Sequence, residues 1–201
     1  MSSTRTWRGC VFIATSLDGY IARPDGDIAW LTDPPELQGH SEGQTDDRGP
    51  KDYEAFMATV GHLVMGRGTY EKVLTFNGWP YGAKQVIVLS STLPHAGDDR
   101  ITLTRSLPEA VALLDSQGAR GVYIDGGKVI QEFLSHDLVD EITITRAPVL
   151  IGVGLPLFGT ADIRLIHAGT TSSDSGMTSS LRPPEVGHLV VVNLGHGCAT
   201  W

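Results

Sequence analysis

The stretch VYIDGGKVIQEFL (residues 122–134) joins an apolar strand to an amphipathic helix with almost no loop between them. The apolar run ends at Asp125, and the helical pattern begins directly after the Gly126–Gly127 pair. Two glycines at such a junction indicate either a tight turn or a backbone kept bare so that a charged group can approach it. The pair taken alone is more typical of a plain turn.

The rest of the central sequence alternates helices and strands in the same way. The predicted order is helix 52–60, strand 62–65, helix 69–75, strands 85–89 and 101–103, helix 106–117, strand 121–124, helix 127–136 and strand 139–145. Helix 106–117 has a capping serine, Ser106, and ends before Gly118. This alternation predicts an α/β fold of three layers (α/β/α), with a mainly parallel central sheet and antiparallel C-terminal strands.

The two ends of the sequence are less regular than its centre. A first strand at 10–14 is followed by a turn at Asp18–Gly19 and more strand, and then by a long polar segment, 23–50. The last strands are expected at 163–165 and 188–193, the latter in a hairpin with 176–181. The 201 residues fit one domain, 1–201, better than two.

Composition and charge exclude several classes of protein. The net charge of -8 and the pI of about 5.2 argue against nucleic acid or an anionic membrane as the main partner. No apolar run is long enough to span a bilayer, and the N-terminus lacks the apolar core of a signal peptide. Cys10 and Cys198 form no disulfide framework, so a cytoplasmic protein is expected. The seven histidines are scattered, so no metal is expected.

Three predicted strand ends carry similar chemistry: MGRGTY (65–70), VLSS (88–91) and IDGGK (124–128). The carboxyl ends of parallel strands meet at one edge of an open α/β sheet, which is where such sheets bind ligands. Together the three turns offer bare backbone N–H groups, hydroxyls and two cations, Arg67 and Lys128. This set suits a pyrophosphate and a sugar phosphate. The usual dinucleotide and P-loop motifs are absent.

The order and spacing of these motifs resemble the dihydrofolate reductase-like superfamily. The resemblance is greater to bacterial proteins of that superfamily that share a domain with the C-terminal reductase of riboflavin biosynthesis. It covers about Val11 to Phe158 and is carried by SLDGYIA (16–22), MGRGTYE (65–71), VLSS (88–91), IDGGKVIQEFL (124–134) and LVDEITITRAPVLIGVGLPLF (138–158). It implies the superfamily's fold and NADPH as the hydride donor.

The resemblance also implies a role for each of the three turns. Arg67 would pair with the 2′-phosphate of NADPH, beside Ser90 and Ser91, and Thr69 would bond the pyrophosphate. The cofactor-binding residues implied in this way are Ala14, Gly66, Arg67, Thr69, Leu89, Ser90, Ser91, Gly126, Gly127 and Lys128. Ala14 would touch the nicotinamide amide through its backbone.

The substrate side is less sharply defined. Asp52 and Phe56 reproduce the carboxylate and aromatic residue, four apart on one helix face, that such reductases present to the substrate. Asp52 would be the catalytic acid and Trp30 would cover the substrate. Glu54 and Asp18 are alternative acids. Each also has a structural interpretation, since Asp52 can favour its own helix N-terminus, Trp30 can pack in a loop, and Asp18 can shape a turn.

The resulting expectation is an NADPH-dependent reductase of a small heterocycle, a pterin, a dihydrofolate-like compound or an aminopyrimidine. Two alternatives stay open. One is the 5-amino-6-(5-phosphoribosylamino)uracil reductase of riboflavin biosynthesis, and the other is an NADPH-binding protein without turnover. The apolar segment VLIGVGLPLF (149–158) suggests a homodimer, although it can equally belong to the core.

Overall fold

The computed structural model of the protein describes residues 5–32, 53–94, 97–159, 163–173 and 176–183. Within these ranges the strands are β1 (Arg8–Thr15), β2 (Tyr20–Ala22), β3 (His62–Gly66), β4 (Gln85–Leu89), β5 (Ile101–Thr104), β6 (Gly121–Asp125), β7 (Glu141–Arg146), β8 (Leu155–Pro156), β9 (Ile166–Ser173) and β10 (Gly176–Arg182). The helices are α1 (Ala29–Thr32), α2 (Tyr53–Thr59), α3 (Arg67–Val73), α4 (Leu107–Ser116) and α5 (Gly127–Ser135). No helix in these ranges is long and apolar enough to cross a membrane.

Eight strands form one sheet in the order β5-β4-β3-β6-β1-β7-β10-β9. The six strands from β5 to β7 run parallel to one another, while β10 and β9 run antiparallel at the end of the sheet. The short strands β2 and β8 pair separately. The predicted fold class, a mainly parallel sheet with antiparallel C-terminal strands and flanking helices, is confirmed.

Alternating strand residues build two apolar layers, one on each face of the sheet. On β3, Leu63 and Met65 pack on the face that α2 and α3 cover, whereas Val64 packs on the face that α4 and α5 cover. Parallel strands buried on both faces are continuously apolar, and β3, β4 and β6 show this pattern. We call these two sides the α2–α3 face and the α4–α5 face.

Helix α4 begins where its capping residues predict. The hydroxyl oxygen of Ser106 accepts a hydrogen bond from the backbone N–H of Glu109, and the Glu109 carboxylate accepts one from the backbone N–H of Arg105. Gly118 follows the helix with a φ of 63°, a conformation that glycine adopts without strain. The prediction for this helix is therefore confirmed, including its cap.

The expected strand at 163–165 is wrong. Ile163 and Leu165 instead pack against the apolar layer of the α4–α5 face, and β9 begins one residue later, at Ile166. The strand β9 carries the polar sequence IHAGTTSS at the sheet edge, so it lacks the alternating pattern that reveals a half-buried strand. The expected hairpin joins residues 176–181 to residues 188–193. In the structure β10 pairs with β9 and β7, and residues 188–193 lie outside the described residues.

Gly121 permits a close contact at the amino end of β6. The backbone N–H of Gly61 donates to the Gly121 carbonyl oxygen at 3.1 Å, which brings the turn after α2 onto this strand. A Cβ atom at Gly121 would fall inside the contact radius of the Thr59 carbonyl oxygen and 3.2 Å from the Val60 Cα. A side chain at this position therefore forces backbone to move.

We expect Gly121→Ala to lower the free energy of unfolding by about 2 kcal/mol, because the α2–β3 turn must shift away from β6. Urea unfolding followed by circular dichroism measures the effect. Gly61→Ala is the matched control, because a Cβ there meets nothing within 4 Å. Equal stability losses in the two variants would show that the close contact is not the cause.

Candidate functional site

A crevice opens in the sheet where β1 separates from β6. The two strands pair only from Arg8↔Gly121 to Cys10↔Tyr123, although β1 continues to Thr15 and β6 to Asp125. The order of strands also reverses here, because β3, β4 and β5 lie on one side of β6, while β1 and β7 lie on the other. Open α/β sheets bind ligands in the crevice at such a reversal.

An aromatic cluster borders the crevice on the α2–α3 face. The Phe12 ring stacks on Phe56 of α2 with centroids 5.0 Å apart, and Tyr123 meets Phe56 edge to face at 5.1 Å. Tyr53 lies 5.6 Å from Phe12. The Tyr123 hydroxyl donates to the Phe12 carbonyl oxygen at 2.8 Å, which links β6 to β1 beyond their last paired residues. Phe12 and Tyr53 are at least partly exposed above the buried rings of Phe56 and Tyr123, and aromatic side chains in this position suit a flat ring.

Asp125 ends β6 beside this aromatic cluster. It lies in register with Met65, whose side chain packs on the α2–α3 face. Burial raises the pKa of Asp125 to about 6, and this effect is only partly opposed by the Gly126 N–H, which donates to its carboxylate at 2.8 Å, and by the Tyr123 hydroxyl. A carboxyl group with this pKa can hold or release a proton near neutral pH.

The tyrosines around Asp125 confirm its position on this face. Burial and the Asp125 charge raise the pKa of Tyr53 to about 12, and the same two causes raise the pKa of Tyr81 and of Tyr123. Sequence reasoning missed Asp125 because the residue was read as part of a turn. The available signal was an acidic residue at the end of an otherwise apolar strand.

Two of the three predicted turns meet next to the end of β6. Gly126 has a φ of 87°, and a Cβ there would overlap the Thr69 hydroxyl of α3. A Cβ at Gly66 would lie 3.3 Å from the Val129 side chain of α5. The turn before α3 and the turn before α5 therefore touch, and the resemblance places both against a pyrophosphate.

The start of α5 also lies under the β2–β8 pair. Gly127 is buried, and a Cβ on it would come within 2.9 Å of the Pro156 carbonyl oxygen and 3.1 Å of the Ile21 side chain. The next residue, Lys128, is exposed. The protein neighbours of the Gly126–Gly127 pair therefore require a backbone without side chains at both positions.

The third turn meets Arg67 through a residue that the sequence analysis did not select. The Arg67 guanidinium donates from Nε to Glu71 Oε1 at 2.6 Å and from Nη1 to Thr92 Oγ1 at 3.5 Å. The buried Ser90 hydroxyl accepts from the backbone N–H groups of Thr92 and Leu93, at 3.3 and 3.0 Å. Ser90 therefore shapes the loop, which leaves Ser91 exposed and Thr92 beside Arg67.

Arg105 holds this loop from behind. Its guanidinium donates to the carbonyl oxygens of Ser90 at 3.1 Å and Pro94 at 3.0 Å, and also to that of Leu93. Leu89, at the end of β4, packs against the apolar layer of the α4–α5 face. The loop at residues 90–94 thus has a defined shape within the protein itself.

Asp18 supports a second loop near the crevice. Its carboxylate accepts hydrogen bonds from the Ser16 hydroxyl at 2.6 Å and from the backbone N–H groups of Gly152 and Ile151, at 2.7 and 3.2 Å. These bonds, the Ser16 bond foremost, lower the pKa of Asp18 to about 2. Asp18 therefore ties the β1–β2 turn to the segment after β7, which favours the turn interpretation.

The remaining predicted site residues fall in different positions. Trp30 is buried, and its indole N–H has no acceptor within the described ranges. Ala14 follows Phe12 by two positions on β1 and therefore points to the same face, at the open end of the crevice. Glu54 is exposed in the first turn of α2, and Asp52 lies outside the described residues.

The residues at the crevice fit a phosphorylated dinucleotide. The two touching turns supply the bare backbone of Gly126, a helix N-terminus and the Thr69 hydroxyl. Arg67, at the start of α3, lies beside the Thr92 hydroxyl of the third turn. No group of three or more His, Cys, Asp and Glu side chains in the described ranges could hold a metal ion. The arrangement therefore places anion-binding groups directly after a half-buried acid that lies beside aromatic rings.

Comparisons with known proteins identify the family of the chain. Residues 9–179 match the family model of the RibD C-terminal domain. The chain is 36% identical over 152 residues to the uncharacterized protein YwjB of Bacillus subtilis (strain 168), with 74% of this chain and 80% of YwjB covered.

Solved structures show the same relationship. A candidate riboflavin biosynthesis protein from Shewanella sp. PV-4 superposes with a TM-score of 0.72 at 38% identity, covering 88% of this chain and 99% of that one. Dihydrofolate reductase from Enterococcus faecalis, solved with NADP(H), superposes with a TM-score of 0.60 at 17% identity over 89% of this chain and 98% of that one. The second likeness shows a shared fold.

We expect Asp125→Asn to stabilise the protein at high pH. Because the folded-state pKa of Asp125 is raised, its ionisation destabilises the fold; the penalty is absent below about pH 4 and complete above about pH 6. The gain in unfolding free energy from the substitution should therefore grow by about 2 kcal/mol between pH 4 and pH 8. Urea unfolding across this pH range measures it.

Asp99→Asn is the control, since it removes a carboxylate that is exposed to water. Its stability should follow the wild-type profile with pH. A difference in unfolding free energy between Asp125→Asn and wild type that stays constant from pH 4 to pH 8 would contradict the raised pKa of Asp125.

Proposed function

This chain belongs to the RibD C-terminal domain family, and on that premise we propose that it is a reductase that uses NADPH to reduce a small planar heterocycle. The family and the dihydrofolate reductase-like fold indicate a reductase of the riboflavin or folate type. The observation that carries the proposal is Asp125, a half-buried acid with a raised pKa that ends β6 between the aromatic cluster and the Gly126–Gly127 backbone.

The substrate half of the site rests on the aromatic cluster. Phe12 is half-buried and stacks on the buried Phe56 ring, and Asp125 offers a carboxyl group whose pKa of about 6 suits proton donation to a ring nitrogen. A flat heterocycle with an N–C=N or N–C=O edge satisfies both features, because it stacks on the rings and pairs its polar edge with the acid. The aromatic partner Phe56, expected from the sequence, is part of this cluster.

The cofactor half rests on the three turns. When bound, NADPH supplies the hydride, and the chain's own residues hold its charged groups. The Gly126–Gly127 backbone and Thr69 suit the pyrophosphate, while Arg67, Ser91 and Thr92 suit the 2′-phosphate. Lys128 adds a cation beside the first group, and Ala14 borders the open crevice in which the reacting ring would meet the substrate.

The proposal moves the acidic role away from the residues selected by sequence. The Asp18 carboxylate accepts three hydrogen bonds within its own loops, so it serves the structure. Asp125, by contrast, keeps a raised pKa although the Gly126 N–H and the Tyr123 hydroxyl oppose the rise, and it lies beside the rings. Trp30 keeps its proposed place on the substrate side, because its buried indole N–H lacks an acceptor in the described part of the chain.

One experiment separates this function from its two alternatives. We expect NADPH to bind, as followed by its fluorescence, and to be oxidised in the presence of dihydrofolate, a pterin or the phosphoribosylaminopyrimidine. Turnover of the last compound alone would favour the riboflavin-pathway reductase. Binding without oxidation of any of the three would favour a non-catalytic NADPH-binding protein.

Two variants test the assigned roles in the same assay. Asp125→Asn should lower kcat at least about 100-fold and leave NADPH binding unchanged, because it removes only the acid. Arg67→Ala should weaken NADPH about 10- to 100-fold and NADH little, because it removes the charge that pairs with the 2′-phosphate. An Arg67→Ala variant that still prefers NADPH over NADH would contradict the cofactor assignment.

We also propose that the chain forms a homodimer. The segment after β7 exposes Leu150 and Val153, each 70% accessible, together with Leu155 and Phe158. Contiguous apolar surface of this kind is typical of protein interfaces. Light scattering should give the mass of a dimer for the wild type and that of a monomer for Val153→Asp. A wild-type monomer at concentrations of about 100 µM would contradict the proposal.

A further inference from the structure

We propose that Glu71 weakens the preference of the cofactor site for a 2′-phosphate, so that the protein discriminates less between NADPH and NADH than Arg67 alone would allow. This inference rests on the proposed function, since it concerns a cofactor bound through Arg67. It assigns a role to Glu71, which is a specificity-determining residue that acts through its neighbour.

The geometry that carries the inference is the shared use of one guanidinium. Arg67 and Glu71 lie four residues apart on α3, and their ion pair measures 2.6 Å between Nε and Oε1. On its other side, Arg67 Nη1 lies 3.5 Å from the Thr92 hydroxyl. The cation thus stands between an acid and the loop that suits the phosphate.

The donors left to a ligand follow from this arrangement. A guanidinium has five N–H groups. Nε and one Nη together form one of the edges that can bind an anion in a bidentate way. Glu71 occupies Nε, so a phosphate must use the Nη groups on the side of Thr92. The Arg67 side chain is 46% exposed and that of Glu71 50%, so both remain within reach of a ligand and of salt.

Two effects of Glu71 on phosphate binding have opposite signs. Glu71 can position Arg67, but an exposed ion pair between residues four apart on a helix favours one arrangement of the side chains by only about twofold. As a charge, a carboxylate on the order of 7 Å from a phosphate dianion opposes its binding by about sevenfold in water at low salt. At physiological ionic strength, screening reduces the second effect to about twofold. Repulsion therefore wins at low salt.

The test is the affinity of wild type and Glu71→Gln for NADPH and NADH, measured by fluorescence titration at about 10 mM and at about 150 mM salt. Glutamine retains an oxygen that can accept the Arg67 Nε–H but removes the charge. We expect Glu71→Gln to bind NADPH about fivefold more tightly at low salt, with little change for NADH. The gain should shrink at the higher salt concentration.

Glu141→Gln is the matched control. It removes the same charge from another exposed arginine–glutamate pair, Arg8 with Glu141 at 3.3 Å, at the amino ends of the strands and therefore away from the three turns. It should leave both affinities unchanged. Thermal unfolding of all variants shows that each one is folded.

The outcomes separate this inference from the proposed function. If the wild type binds neither nucleotide, the proposed cofactor is wrong. If the wild type binds NADPH but Glu71→Gln leaves the NADPH-to-NADH ratio unchanged or lowers it, Glu71 does not weaken phosphate binding and the inference fails. A loss of NADPH affinity in Glu71→Ala, with Glu71→Gln intermediate, would show that positioning of Arg67 dominates.

Discussion

The separation of β1 from β6 is the constraint on which the site depends. Parallel strands normally continue their hydrogen-bond ladder to the end of the shorter strand, and leaving that ladder early exposes backbone groups that need other partners. Here the pairing stops at Cys10 and Tyr123, and the Tyr123 hydroxyl donates to the Phe12 carbonyl oxygen beyond that point. One side chain thus replaces a strand contact and keeps the crevice open without leaving a buried acceptor unpaired.

The same opening explains why Asp125 has an unusual pKa. Its strand ends under the tyrosines of the α2–α3 face, where little water remains to solvate a carboxylate, and the Gly126 N–H offsets only part of that loss. The apolar layers on both faces of the sheet stabilise the fold, and this stabilisation offsets the cost of ionising Asp125. A site of this kind combines a rigid framework with one group kept in an unfavourable state, as enzymes commonly do.

Much of the fold could be predicted because local signals agreed with the final structure. The strand at 85–89 was found at its observed bounds since a short apolar run stands between turn residues, and helix α4 was marked by the Ser106 cap. Strand β9 was misplaced because its exposed, polar sequence carries no alternation. Asp125 carried a local signal, an acid at the end of an apolar strand, but its proximity to Tyr53 and Tyr81, which are distant in sequence, arises only in the folded chain. The contact of Arg67 with Thr92, 25 residues away, is equally a product of tertiary packing.

The three carbonyl oxygens held by Arg105 have a consequence for the energetics of binding. A loop that must be ordered by its ligand loses conformational entropy at that moment, and the loss weakens affinity. In this protein the loop at 90–94 already has its shape, since one guanidinium bonds Ser90, Leu93 and Pro94. The entropy of ordering this loop is therefore lost during folding rather than during binding. The dinucleotide proposed to dock against it would meet a preformed surface, and its association rate would be set by encounter and orientation rather than by loop closure.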